Sequence, residues 1–387
     1  MRLVRAAGAC IAVAAAPALV HCGARTGFED GSLGGGPATA EAGATSDGAS
    51  AFDAPLADAG CTPAPPGGLA VASFPTTVVS IALTVVGDTL YAGTAAIGAA
   101  SPLYTGALAG VPVTGGATQP LTAPGYSFGN VASDGARLYY PQTRGTPEGS
   151  GGSIYTVVGL AAIDLSTGGV HPIATPAPPW STSSNLNSDM IAATTAFPGV
   201  FWIGGQAGSS SASTLSDWDA RTDAATVLAQ GQSLSGIAVD ATGVYWADVG
   251  GSQGITVYAL PLGGGTPSAL AKVPGGTYGV LLGVTASDVV FVSDSATGTI
   301  EAVSKTGGGP RLLTTTTSSW ANAFAWVDDP YLYWTESAAP TTLTRIPVAG
   351  GPSDVLPTQG EIQTLAFDAC NVYVGSLGPS QVRARPK

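Results

Sequence analysis

Few side chains in this 387-residue chain can do acid–base, nucleophilic or metal chemistry, and their spacing sorts them quickly. Histidine occurs twice, at His21 and His171, and cysteine four times, at Cys10, Cys22, Cys61 and Cys370. A structural or catalytic zinc site gathers several imidazole or thiolate ligands, and a nucleophilic triad needs a histidine beside its nucleophile. No HExxH, CxxC, GxSxG or P-loop spacing is present. His171 stands between Val170 and Pro172 after a Gly-Gly pair and reads as a solvated turn residue. Gly263–Gly265 and Ser209–Ser211 read as a hairpin turn and a loop tip, not as a phosphate cradle and a nucleophile elbow. No catalytic residue, metal ligand or cofactor is assigned.

Carboxylates are the remaining reactive groups, and they recur at fixed places. Asp248, Asp294 and Glu336 share one position of a repeat, while Asp134, Asp240, Asp328 and Asp368 share another. Oxygen ligands arranged in a ring suit a cation such as Ca²⁺. The same spacing suits Asx-type turn caps that every unit needs, and phase locking favours the caps. Trp180, Trp218 and Trp320 fall at or near connections and are the candidate partner-binding aromatics, with packing beneath a loop as the alternative. The longest insertion, residues 176–187, reads PAPPWSTSSNLN and carries Trp180. Long connections on a rigid scaffold are where specificity usually sits.

The elements that hold these residues are short strands. From Gly236 to Val273 the chain reads GIAVD, VYWAD, ITVYALPL and SALAKV, with Gly, Thr, Asp or Pro between the runs. Four apolar runs of strand length bounded by turn residues predict an antiparallel meander. The landmark VYWAD recurs around Tyr91, Tyr139, Phe201, Tyr245, Phe291, Tyr333 and Tyr373, at spacings between 40 and 62 residues. Gly-rich turns such as Thr114-Gly115-Gly116, Gly307–Gly309 and Gly350-Gly351 recur in phase. A period in the forties with four strands per period predicts an all-β, seven-bladed β-propeller over residues 67–387, four antiparallel strands to a blade.

Val244-Tyr245-Trp246-Ala247-Asp248 and Leu332-Tyr333-Trp334-Thr335-Glu336 resemble the YWTD repeat of low-density-lipoprotein-receptor-type propellers. Gly236-Ile237-Ala238-Val239-Asp240 is similar to the opening of that repeat and of NHL repeats. The resemblance covers most of residues 75–387 and implies a propeller. YWTD propellers have six blades, whereas seven landmarks stand here. The seventh copy lacks a fourth strand, and one orphan strand, Leu69–Phe74, precedes the first copy. Adding the orphan to the last blade closes the ring and removes an open seam of edge strands.

Residues 1–21 have the layout of a signal peptide, with Arg2 and Arg5 ahead of an apolar stretch from Ala6 to Val20. Leu19-Val20-His21-Cys22 resembles the lipobox of bacterial lipoproteins, which implies a lipidated Cys22. Gly23 after it, by resemblance to lipoprotein sorting, implies the outer membrane, with a secreted or periplasmic soluble protein as the alternative. Residues 22–66 are rich in Gly, Ala, Pro and acids and read as a disordered tether. With Cys10 removed and Cys22 acylated, Cys61 and Cys370 remain, and an oxidising compartment favours their pairing over two unpaired thiols. That bridge would close a loop of roughly 300 residues, a chain-entropy effect on the order of 5 kcal/mol.

Thirteen basic against 25 acidic residues give a net charge of −12, without the basic footprint that nucleic-acid binding requires. The expected protein is a monomeric, non-enzymatic binding module for a protein or glycan partner, attached to the membrane only through its lipid. The competing expectation is a metal-dependent lactonase- or lyase-type propeller enzyme with its site in the central channel.

Overall fold

In the computed structural model the described residues are 62–75, 78–97, 104–121, 131–147, 153–175, 191–204, 213–250, 254–275, 279–294, 298–316, 324–336, 339–377 and 380–387. They form seven four-stranded antiparallel sheets. The chain enters through β1 (Leu69–Ser73) and then builds blade 1 from β2 (Val78–Val86), β3 (Thr89–Ile97), β4 (Tyr104–Pro112) and β5 (Gln119–Leu121). Blade 2 is β6 (Ala132–Ser133), β7 (Arg137–Pro147), β8 (Ser153–Asp164) and β9 (Val170–Ile173). Blade 3 is β10 (Ile191–Thr194), β11 (Phe197–Gly204), β12 (Ser213–Asp219) and β13 (Ala224–Gly231). Blade 4 is β14 (Leu234–Val239), β15 (Gly243–Val249), β16 (Ile255–Pro261) and β17 (Ser268–Val273). Blade 5 follows with β18 (Val280–Val284), β19 (Asp288–Asp294), β20 (Thr299–Ser304) and β21 (Arg311–Thr315). Blade 6 has β22 (Phe324–Asp328), β23 (Tyr331–Glu336), β24 (Ala339–Pro347) and β25 (Asp354–Pro357).

Blade 7 draws on both ends of the chain. It orders β26 (Glu361–Phe367), β27 (Asn371–Leu377), β28 (Gln381–Pro386) and finally β1. Leu69 pairs with Ala384 and Ser73 with Gln381, and the Phe74 amide donates to the Ser380 carbonyl at 2.7 Å. The orphan strand therefore completes the last sheet, as its sequence position predicts.

The repeated landmark is the second strand of each blade, and its composition follows from where it sits. That strand is covered on both faces by neighbouring sheets, so it reads as a continuous apolar run instead of alternating with polar residues. In β15, Tyr245 and Ala247 pack against blade 5 while Val244 and Trp246 pack against blade 3. The buried apolar residues fall into seven clusters, one for each seam between neighbouring blades. Adjacent blades approach closely enough to dictate glycine at Gly236. It has φ +66°, and a Cβ there would stand 2.2 Å from the Leu281 carbonyl oxygen of blade 5.

Antiparallel order puts the turns after the first and third strands at one end of the ring and the other connections at the opposite end. The first end has short turns such as residues 87–88, 240–242 and 329–330. The longer connections join strands at the second end; the two longest, 122–131 and 174–190, flank blade 2, and 205–212 and 316–323 follow in length.

Candidate functional site

Three of the four carboxylates that precede a landmark, Asp134, Asp240 and Asp368, are bound up in their own turns. Asp134 Oδ1 accepts the Ala136 and Arg137 amides at 2.9 and 2.7 Å, and its Oδ2 accepts the Tyr139 hydroxyl at 2.6 Å. Asp368 accepts the Cys370 and Asn371 amides, both at 2.7 Å, and the Tyr373 hydroxyl. Asp240 accepts the Thr242 and Gly243 amides at 2.7 and 3.1 Å, and the Thr242 hydroxyl lies 2.7 Å from that of Tyr245. Each acid precedes its tyrosine by five residues, as Asp328 precedes Tyr333. Where the central aromatic is Phe201 or Phe291, the same place holds Ala196 or Ala286. In blades 2 and 7 the acid takes the tyrosine hydroxyl directly, and in blade 4 the Thr242 hydroxyl stands between them. Burial, and then the hydrogen bond to the neighbouring carboxylate, pushes Tyr139 and Tyr373 above the usual tyrosine range.

Asp240 and Asp328 also carry ion pairs between blades. Lys305, just past the third strand of blade 5, reaches back to Asp240 in blade 4. Lys387, at the same place in blade 7, sets its Nζ 2.6 Å from Asp328 Oδ2 in blade 6. Burial raises the Asp328 carboxyl against the pull of Lys387. At Asp240 burial acts in the same sense but is outweighed by Lys305 and Thr242, so the carboxyl lies below its usual value.

Asp248, Asp294 and Glu336 stand at the other end of the second strands. Asp248 accepts the Ser233 amide at 3.1 Å, and Glu336 accepts the Trp334 indole N–H at 3.3 Å. Among the described residues no three His, Cys, Asp or Glu side chains cluster as metal ligands would.

Trp218 stands near the end of β12, with one residue between it and the connection to β13, and is 4% exposed in the seam between blades 2 and 3. At that phase the third strand must fill the gap to the preceding blade, and the indole does so edge-on to Tyr139 at 6.2 Å. Its N–H donates to Asp223 Oδ1 at 3.1 Å, and His171 Nε2 meets the same oxygen at 3.0 Å. Asp223 holds φ +52°, a left-handed conformation that the corresponding turns give to Gly168, Gly264, Gly307 and Gly350. Trp180, Trp320, Cys22 and Cys61 lie outside the described residues. Cys370 is 8% exposed in the turn between β26 and β27.

Sequence reasoning overlooked a cationic seam between blades 6 and 7. Directly opposed residues of paired strands share a face, so Arg383 and Arg385, opposite Val374 and Val372, look toward blade 6. From blade 6, Arg345 shares its face with Leu343 and looks toward blade 7. Arg345 donates to Asp354 at 3.0 Å and covers the Tyr331 ring at 5.0 Å, yet its Nη1 is buried with no hydrogen-bond partner. Arg383 Nε is likewise buried and unpartnered. Arg385 is 8% exposed, and burial, then the Arg383 charge, holds it below the usual arginine value. The legible signal was Val-Arg-Ala-Arg at a phase where the other blades place apolar residues.

No protein-family model and no curated protein sequence matches the chain. Solved structures do resemble it in fold. The β-propeller domain of the Trilobed protease from Pyrococcus furiosus, described as having an open velcro topology, aligns over 76% of this chain and 90% of its own, at 10% identity and TM-score 0.51. An oligogalacturonate lyase in complex with manganese aligns over 84% and 92%, at 15% identity and TM-score 0.53. A computationally designed protein, Ika8, aligns over 82% and 98%, at 12% identity and TM-score 0.50. At these identities the likeness is one of fold, and it makes the chain a β-propeller.

Proposed function

We propose that this propeller is a non-enzymatic recognition module of the bacterial envelope, lipidated at Cys22 and carried on the tether of residues 22–66. The observation that carries the reading is the asymmetry of the ring. One end has only turns of two to six residues, and the other receives the longest connections, those on either side of blade 2, including the one between Ile173 and Ile191. The partner is a protein or glycan met by that end. Replacing residues 176–187 with a short Gly-Ser turn should leave the unfolding transition in place and abolish retention on immobilised envelope glycans or solubilised envelope proteins. Retention unchanged by the replacement would contradict the reading. Stoichiometric divalent metal in the purified protein would instead favour a metal-dependent lyase- or lactonase-type activity in the channel.

The clasp between Cys61 and Cys370 belongs to the same proposal. It is supported by Asn371, whose Oδ1 accepts the Ala64 amide at 2.7 Å and whose Nδ2 donates to the Thr62 carbonyl at 3.2 Å. The neighbours of the two cysteines are thereby in contact. The YWTD- and NHL-like ancestry is supported by the repeat residues alone.

A further inference from the structure

A repeat protein sets its own control: seven copies show what each position normally does, and an exception stands out. In six blades the end of the third strand is marked by an amide returning to the first hairpin. Those amides belong to Val113, Leu165, Ala220, Lys305, Val348 and Lys387 in blades 1, 2, 3, 5, 6 and 7. Two residues earlier the side chain points at the preceding blade and fills the seam. In blades 1 to 6 it is Val111, Ile163, Trp218, Leu260, Val303 and Ile346, every one buried and apolar. In blade 7 it is Arg385, equally buried.

No carboxylate answers it. Among the described residues the ion pairs of this seam are Arg345 with Asp354 and Lys387 with Asp328, and neither Arg383 nor Arg385 joins one. Arg383 Nη2 has only the carbonyls of Gly67 and Gly68, both at 3.4 Å. Asp354 and Asp328 are thus taken by Arg345 and Lys387, and Arg383 and Arg385 are left without an acid partner among the described residues, in a protein whose net charge is −12. The backbone is shaped for these side chains. Gly68 has φ +76°, and a Cβ on it would stand 3.0 Å from Arg385 Nε, so glycine leaves the space the guanidinium occupies. Two like charges side by side, mostly desolvated, are unfavourable without a counter-charge, and guanidinium forks match a planar or tetrahedral oxyanion.

We propose that the seam between blades 6 and 7 is an oxyanion-binding site, in which Arg383 and Arg385 grip the carboxylate or phosphate of a ligand beside the Gly67-Gly68 entry. The site requires nothing of the long connections at the ring's end, so it stands or falls apart from the recognition role proposed above. Arg385 supplies the buried charge, and Arg383, two residues before it on the same face, offers its unpartnered Nε. Arg345, held by Asp354, adds long-range attraction from blade 6.

Calorimetric titration of the full-length protein with inorganic phosphate and, separately, with acetate at fixed ionic strength tests the assignment. Saturable binding of at least one anion is expected, and which one binds separates a phosphate-bearing from a carboxylate-bearing ligand. Arg385→Leu, which restores the residue type of the other six blades, should weaken that binding tenfold or more, about 1.4 kcal/mol. Arg383→Gln should do the same and decides the matter should the first variant not fold. Absence of saturation with both anions, or identical binding by wild type and both variants, would overturn the proposal. A loss of thermal stability in Arg385→Leu with anion binding intact would also overturn it, by making the arginine a strut.

Discussion

Tyr139 and Tyr91 occupy the same place in neighbouring blades, yet only Tyr139 has an aspartate five residues before it. Asp134 receives its hydroxyl, whereas Tyr91 follows Val86. Removing a hydrogen bond to a buried charged acceptor costs about 2 kcal/mol, so Tyr139→Phe should lower unfolding stability by roughly that much in urea titration. Tyr91→Phe should change it by less than about 0.5 kcal/mol. Equal effects would mean that the Asp–Tyr pairing is incidental. The Lys305–Asp240 pair makes a pH prediction. The folded state holds the Asp240 carboxyl below its unfolded value, so its contribution is present above the ordinary aspartate pKa and disappears as pH falls through the folded one. The melting-temperature gap between wild type and Asp240→Asn should therefore be widest near neutrality and close in strong acid. A gap independent of pH would contradict the assigned ion pair.

At the scale of the strand, legibility followed burial. The second strands announce themselves because both their faces are covered, and hairpin turns announce themselves through Gly-Gly pairs that accept left-handed backbone. The strand that carries Trp218 reads STLSDWD, so its burial in a seam is hidden by polar neighbours. Its turn lacks the usual Gly-Gly, since Asp223 takes the left-handed position and holds the indole N–H and His171. The arginines of β28 escaped notice for a related reason: alternating charge on a strand reads as a solvated face, and only the register shows that the face is a seam. Gly236→Ala offers a direct check on close blade approach. The left-handed backbone and the contact with Leu281 should together cost about 2 kcal/mol or more in chemical denaturation. A neutral outcome would mean that blades 4 and 5 sit farther apart than described.

For the molecule as a whole, a ring of seven alike units is held by an apolar cluster in each seam, with arginines added between blades 6 and 7, and one blade joins the first strand to the last. That much was legible, because the period, the landmark and the orphan strand are all written in residue order. Which residues bind a ligand was not, since recognition depends on exceptions to the repeat and on the connections at one end. The proposed lipid anchor predicts that Cys22→Ser moves the protein from the membrane to the soluble fraction, and an unchanged distribution would contradict lipidation. The closure of the ring is tested most directly by native-state amide hydrogen exchange. Strand β1 should exchange as slowly as β27 and β28, in one cooperative unit, although more than 300 residues separate them along the chain. Exchange of β1 amides at the rate of an open chain, with β27 still protected, would contradict a ring fastened by its own N-terminal strand.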